Sequence, residues 1–143
     1  MGVRIAHVNI RTKDLDGSIS FYRLLGLDIA GCLALGEEAT VVYMAAPDAP
    51  DLTIELVAHH TAPAGFDRRP GTGHLALAVG DLDELLARLD KAGVELETPP
   101  YHPGDRDHLY VCFVQDPNGV RVELIDGSFP TPQDPLPPIL RGV

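Results

Sequence analysis

Ala6-His7-Val8-Asn9-Ile10-Arg11-Thr12-Lys13-Asp14-Leu15-Asp16 and Gly73-His74-Leu75-Ala76-Leu77-Ala78-Val79-Gly80-Asp81-Leu82-Asp83 are two copies of one pattern. Without a gap, His7 falls on His74, Asp14-Leu15-Asp16 on Asp81-Leu82-Asp83 and Gly26 on Gly93, an offset of 67 (74 − 7). Ile54-Glu55-Leu56-Val57 answers Val122-Glu123-Leu124-Ile125 at 68 (123 − 55), so a single-residue indel separates the halves. A repeat of this length is one supersecondary unit used twice.

Each copy reads alike. A strand (about 4–11 and 74–80) leads to Asp-Leu-Asp, where a short carboxylate caps the free amides of a helix start. Leu82, Leu85, Leu86 and Leu89 form the apolar stripe of an amphipathic helix that ends at Gly93; Leu15, Ile19, Tyr22 and Leu25 do the same before Gly26. Three more strands are expected per half, about 28–34, 39–45 and 52–58, then 94–97, 109–115 and 120–126. Asp116-Pro117-Asn118-Gly119 is a turn signal that makes the last two a hairpin. The expected organisation is one domain over 1–127, with modules at about 4–60 and 73–127 joined by a Pro/Gly-bearing linker at about 61–72. The tail 128–143 holds Pro130, Pro132, Pro135, Pro137 and Pro138 and reads as an extended arm, either loose or wrapped on a partner subunit.

Composition narrows the function. With 11 basic and 21 acidic residues the formal charge is −10, and no basic run exceeds Arg68-Arg69, which argues against a nucleic-acid groove or an anionic membrane surface. No apolar run is long enough to span a bilayer and the first residues lack a signal-peptide core, so a cytoplasmic protein is the simplest expectation. Cys32 and Cys112 each sit in an apolar stretch and read as buried free thiols.

Strand alternation places His7, Asn9 and Arg11 on one face and Ala6, Val8 and Ile10 on the other. The same rule sets His74, Glu55 and Glu123 each on the less apolar face of its strand. A mid-strand carboxylate is costly to bury unless it is paired or bound to a metal. Taken singly, each of the four fits a solvated face or an ordinary hydrogen bond. Taken together they occupy matching positions, Glu following His by 48 residues (55 − 7) and by 49 (123 − 74). Two imidazoles and two carboxylates make a mixed N/O donor set for one divalent ion such as Ni, Co or Zn, with Fe or Mn as alternatives.

On these residues, and on Ser20-Phe21-Tyr22-Arg23-Leu24-Leu25-Gly26-Leu27, Gly73-His74-Leu75-Ala76 and Asp116-Pro117-Asn118-Gly119-Val120-Arg121-Val122-Glu123-Leu124, the chain resembles the vicinal oxygen chelate superfamily. The likeness covers residues 3 to 127 and is to its glyoxalase I and bleomycin-resistance group. It implies an α+β fold of two βαβββ modules forming a half-barrel, with His7, Glu55, His74 and Glu123 as metal ligands and Glu123 and Glu55 as the catalytic carboxylates. It also implies a homodimer sharing each site across its interface, acting on a small molecule.

The ligand set resembles that of glyoxalase I, a lyase/isomerase that converts the hemithioacetal of methylglyoxal and a thiol to a thioester through an enediolate. The alternatives are an epimerase, another metal-dependent enzyme, or a metal-free binding protein. Arg11 matches the arginine that binds the γ-glutamyl carboxylate of glutathione in the family, a salt bridge at the sheet rim being the other reading. His59 stands where the family has an asparagine. The later glutathione loop is replaced by Tyr101-His102-Pro103-Gly104-Asp105-Arg106-Asp107-His108, in which the histidines read as loop residues. These departures leave the thiol open.

Overall fold

The internal repeat is visible first in the helix ends. In the computed structural model, which describes residues 2–61 and 69–140, Asp14 accepts from the Gly17 amide and Asp81 from the Glu84 amide, at 2.9 and 3.0 Å. These bonds start helices α1 (Leu15–Leu24) and α2 (Leu82–Lys91). Both helices stop at a glycine with positive φ, Gly26 at 104° and Gly93 at 77°. The following amides close back on the helix, Leu27 N to Tyr22 O and Val94 N to Leu89 O. A left-handed residue there lets the chain reverse while satisfying helix carbonyls.

The strands are β1 (Arg4–Arg11), β2 (Asp28–Leu35), β3 (Ala39–Ala46), β4 (Ala49–His59), β5 (Gly71–Ala78), β6 (Thr98–Tyr101), β7 (Val111–Gln115) and β8 (Arg121–Ile125). The class is α+β, with the βαβββ order appearing twice, as expected. Two compact units divide the chain, and β1 is split between them after His7.

One unit comprises Val8–Gly73 and the segment from Pro130 on. Its strands run β2-β3-β4 antiparallel, with the end of β1 beside β4. Ile19 from α1 is fully buried against Val42, Met44 and Leu56, joined by Leu140 from the tail. Each such burial contributes on the order of 1.5–3 kcal/mol. Leu25, expected in this stripe, caps the helix and is 65 % exposed. The tail lies along β2: the Cys32 amide donates to Pro132 O, and the Asp134 amide to Cys32 O.

The other unit comprises the chain up to His7 and His74–Phe129. Strand β5 runs parallel to β8, and β8-β7-β6 follow antiparallel. Leu82 of α2 is buried with Val79, Cys112 and Leu124, and Leu85, Leu86 and Leu89 pack on them. The turn at Asp116–Gly119 forms the expected hairpin, Asp116 Oδ1 accepting from the amides of Asn118 and Val120. The strand expected over 94–97 lies instead at Thr98–Tyr101. Pro99 and Pro100 lack amide donors and argue against a strand, yet β6 is an edge strand, where proline is tolerated. Strand β5 also starts earlier than expected, at Gly71, inside the expected linker, of which residues 62–68 lie outside the described residues. No helix among the described residues is long and apolar enough to cross a membrane.

Candidate metal centre

Pairing brings three of the four expected ligands into one cluster within a single unit. Strand β1 delivers His7 at its unit's end, β5 delivers His74, and β8, paired to β5 with Ala76 opposite Glu123, delivers the carboxylate. Glu123 Oε1 stands 3.4 Å from His7 Nε2 and 3.4 Å from His74 Nε2. The three donor atoms lie within 4.8 Å of one another.

That geometry fits a divalent ion. Metal bonds of about 2.0–2.2 Å place neighbouring donors roughly 3.0–3.5 Å apart, so the two 3.4 Å spacings are those of donors flanking one centre. Burial agrees, since His7 is 1 % exposed, while His74 and Glu123 keep 11 % and 13 %, enough for a ligand to approach. Aromatic rings hold the imidazoles in place: Phe129 lies 5.1 Å from His7, and Phe113 lies 5.2 Å from His74, nearly perpendicular to it. Arg121 stacks over Phe113 at 4.2 Å and binds Glu97 through both Nε and Nη2. That hydrogen-bonded pairing holds the Glu97 carboxyl below its ordinary range. Burial, followed by the nearby Glu123 charge, pushes the Cys112 thiol up.

Glu55 belongs to the other unit and is buried there at 8 % exposure. Asn9 Nδ2 donates to its Oε1 at 2.7 Å and the Tyr43 hydroxyl to its Oε2 at 2.5 Å. Its strand face is therefore not solvated, since Asn9, Thr53 and Val57 are buried with it. Strand alternation placed Asn9 on the ligand face; the part of Tyr43 was not legible, because alternation gives a face and not the cross-strand partner. Phe129 lay beyond the repeat and carried no signal.

Arg11 and His59, expected to bind substrate, line one cleft of about 630 Å³ with Lys13, His60, Thr40 and Leu140. Arg11 Nε donates to the Arg69 carbonyl at 2.6 Å. None of the four expected metal ligands lines this cleft. His102 is fixed by the Leu109 carbonyl at 2.6 Å, as a loop residue would be. Both cysteines are free and buried, as expected.

The sequence model of the Glyoxalase/Bleomycin resistance protein/Dioxygenase superfamily matches residues 4–124. The chain is 30 % identical to a lactoylglutathione lyase of Salmonella typhimurium, covering 88 % of this chain and 94 % of that protein. It is 31 % identical to a probable lactoylglutathione lyase of Synechocystis sp., covering 87 % and 95 %. Among solved structures, methylmalonyl-CoA epimerase from Mycobacterium tuberculosis superposes with a TM-score of 0.70 at 26 % identity, covering 87 % of this chain and 88 % of that one. A hypothetical protein from Bacillus halodurans reaches 0.74 at 19 % identity, covering 92 % and 99 %.

Proposed function

Because the chain belongs to the glyoxalase/bleomycin resistance protein/dioxygenase superfamily and is an enzyme of its lyase/isomerase kind, we propose that it isomerises the hemithioacetal of an α-oxoaldehyde and a thiol. The observation that carries this reading is the cluster of His7, His74 and Glu123, whose carboxylate oxygen is equidistant from two imidazole nitrogens. We propose Glu55 as the fourth donor to a divalent ion, Ni, Co or Zn, with Fe or Mn as further candidates. Such an ion would polarise the substrate carbonyl and stabilise the negative charge that develops on its oxygens.

The side chains supply the rest. Glu123 takes the proton from the carbon that bears the hydroxyl and sulfur and returns it to the neighbouring carbon, while the hydroxyl proton passes to the neighbouring oxygen, so the thioester carbonyl forms and one carboxylate acts as base and then as acid. The two histidines fix the site. Phe113 and Phe129, packed on the imidazoles, keep water from their outer faces. Arg11 and His59 bind the polar end of the substrate's thiol portion in their cleft, a role supported by the guanidinium's fit to a carboxylate. We further propose that the enzyme works as a homodimer and in the cytoplasm, the latter open to cell fractionation.

A second reading has its own support. Methylmalonyl-CoA epimerase, a relative in fold, points to proton transfer beside the carbonyl of an acyl thioester. One experiment divides the two: metal-loaded protein is given methylglyoxal with a panel of thiols, and separately an α-branched acyl thioester in heavy water. Metal-dependent growth of thioester absorbance with at least one thiol is expected. Deuterium uptake by the acyl thioester, with no reaction of any hemithioacetal, would overturn the first reading in favour of the second.

A further inference from the structure

The two halves of the chain repeat each other, so each position in one has a counterpart in the other that serves as an internal control. Across the β3/β4 pair, Tyr43 stands directly opposite Glu55; across the β7/β8 pair, Phe113 stands directly opposite Glu123. Asn9 is two residues after His7, and its counterpart two residues after His74 is Ala76, which stands opposite Glu123. The repeat thus changes chemistry at the two places that matter most to a carboxylate: Asn and Tyr beside Glu55, Ala and Phe beside Glu123. The first pair carries side-chain donors and the second carries none.

Both donors are built in. Tyr43 is fully buried and Asn9 is 6 % exposed, and each reaches a different oxygen of Glu55. The backbone makes room for this arrangement at Gly73, where a Cβ would come within 2.0 Å of Asn9 Oδ1. Glycine at that point lets the Asn9 amide lie with its nitrogen toward Glu55. Held by a hydrogen bond on each oxygen, the carboxylate cannot swing without breaking both. Glu123 meets imidazole groups instead, at 3.4 Å.

We infer that Asn9 and Tyr43 are positioning residues that clamp both oxygens of Glu55 and hold it ready as a metal donor, an arrangement that the second copy of the repeat lacks at Glu123. The inference rests on the reading of Glu55 as a metal donor. A clamped ligand loses less rotational freedom when an ion binds, so the two residues act on metal affinity through Glu55.

The test measures divalent-metal affinity by chelator competition, on folded protein well below its unfolding temperature. Wild type is compared with Tyr43→Phe and Asn9→Ala, each made alone and in a Glu55→Ala background. Each single variant is expected to bind metal about 10–100-fold more weakly. In the Glu55→Ala background the same changes are expected to shift affinity by less than about twofold, because the group they act on is gone. An equal loss in both backgrounds would mark a general packing role and overturn the inference, as would single variants that bind as tightly as wild type. A wild-type protein that takes up no divalent metal overturns the metal reading itself, and this inference with it.

Discussion

Glu123 is the residue on which ligand and base must be told apart. Glu123→Gln keeps an oxygen donor of similar size beside His7 and His74, so metal is expected to stay. Proton abstraction is not, since an amide is not basic near neutral pH and a positioned base contributes about 10²–10⁴-fold. Turnover number is therefore expected to fall by at least that range with little change in KM, while His7→Ala and His74→Ala lose metal instead. Metal content measured on each variant separates the two outcomes, and near-normal turnover of metal-bound Glu123→Gln would make Glu123 a ligand only. How much of this was legible in sequence follows from what a repeat can say. Matching positions singled out the two His/Glu pairs, because repetition turns four unremarkable residues into one coincidence. The partners of Glu55 were not legible as partners. Asn9 could be set on the right face, but Tyr43 meets Glu55 through strand register, and the β3/β4 register shifts between Met44 and Ala46, a feature no periodicity announces.

Among the elements, helices were the most legible and edges the least. Caps and terminal glycines act within a few residues, so Asp14, Asp81, Gly26 and Gly93 fixed both helices from local chemistry. Strand β6 lies past the expected span, over two prolines that only an edge position permits. The prolines mark off the C-terminal arm in sequence, but its docking on β2 was not legible, since nothing local links Pro132 to Cys32. It covers the exposed edge of β2: Gln133 Nε2 donates to Ala30 O, and Asp134 Oδ2 accepts from the Ala34 amide. Gly31 allows this approach, because a Cβ there would lie 2.2 Å from Pro132 O. Gly31→Ala is thus expected to dislodge the arm and lower the urea midpoint by the equivalent of about 1–3 kcal/mol. Leu140→Ala, in the core, should cost about 2–5 kcal/mol. Cys32 supplies the readout, since burial first and the Asp134 charge second hold its thiol above the ordinary range. Releasing the arm takes the Asp134 charge away, so Cys32 should be alkylated faster at mildly alkaline pH in Gly31→Ala, with Cys112 unchanged as control. Equal labelling of Cys32 in variant and wild type, with the midpoint unmoved, would mean the arm does not hold this edge.

At the scale of the whole molecule, the chain shows large apolar side chains that its own packing leaves in water. At the end of α1 and its cap, Phe21, Leu24 and Leu25 are 55, 86 and 65 % exposed. Single exposed leucines are ordinary, but adjacent ones on a helix whose other face is already buried mark a contact surface. Sequence could not separate this from core, because the same Leu25 that completes the apolar stripe in the repeat points outward in the structure. The homodimer we propose would bury such groups against a second copy. Two copies each carrying a net charge of −10 repel, so association should tighten as salt rises from about 0.01 to 0.15 M and the Debye length falls from about 30 to 8 Å. Sedimentation equilibrium at micromolar concentration is expected to give a species of twice 15.4 kDa at the higher salt. Leu24→Glu, which adds charge to the exposed turn without touching the core, is expected to shift that equilibrium toward monomer. A 15.4 kDa species alone at both salt concentrations would overturn the dimer. A dimer indifferent to Leu24→Glu would place its interface away from α1.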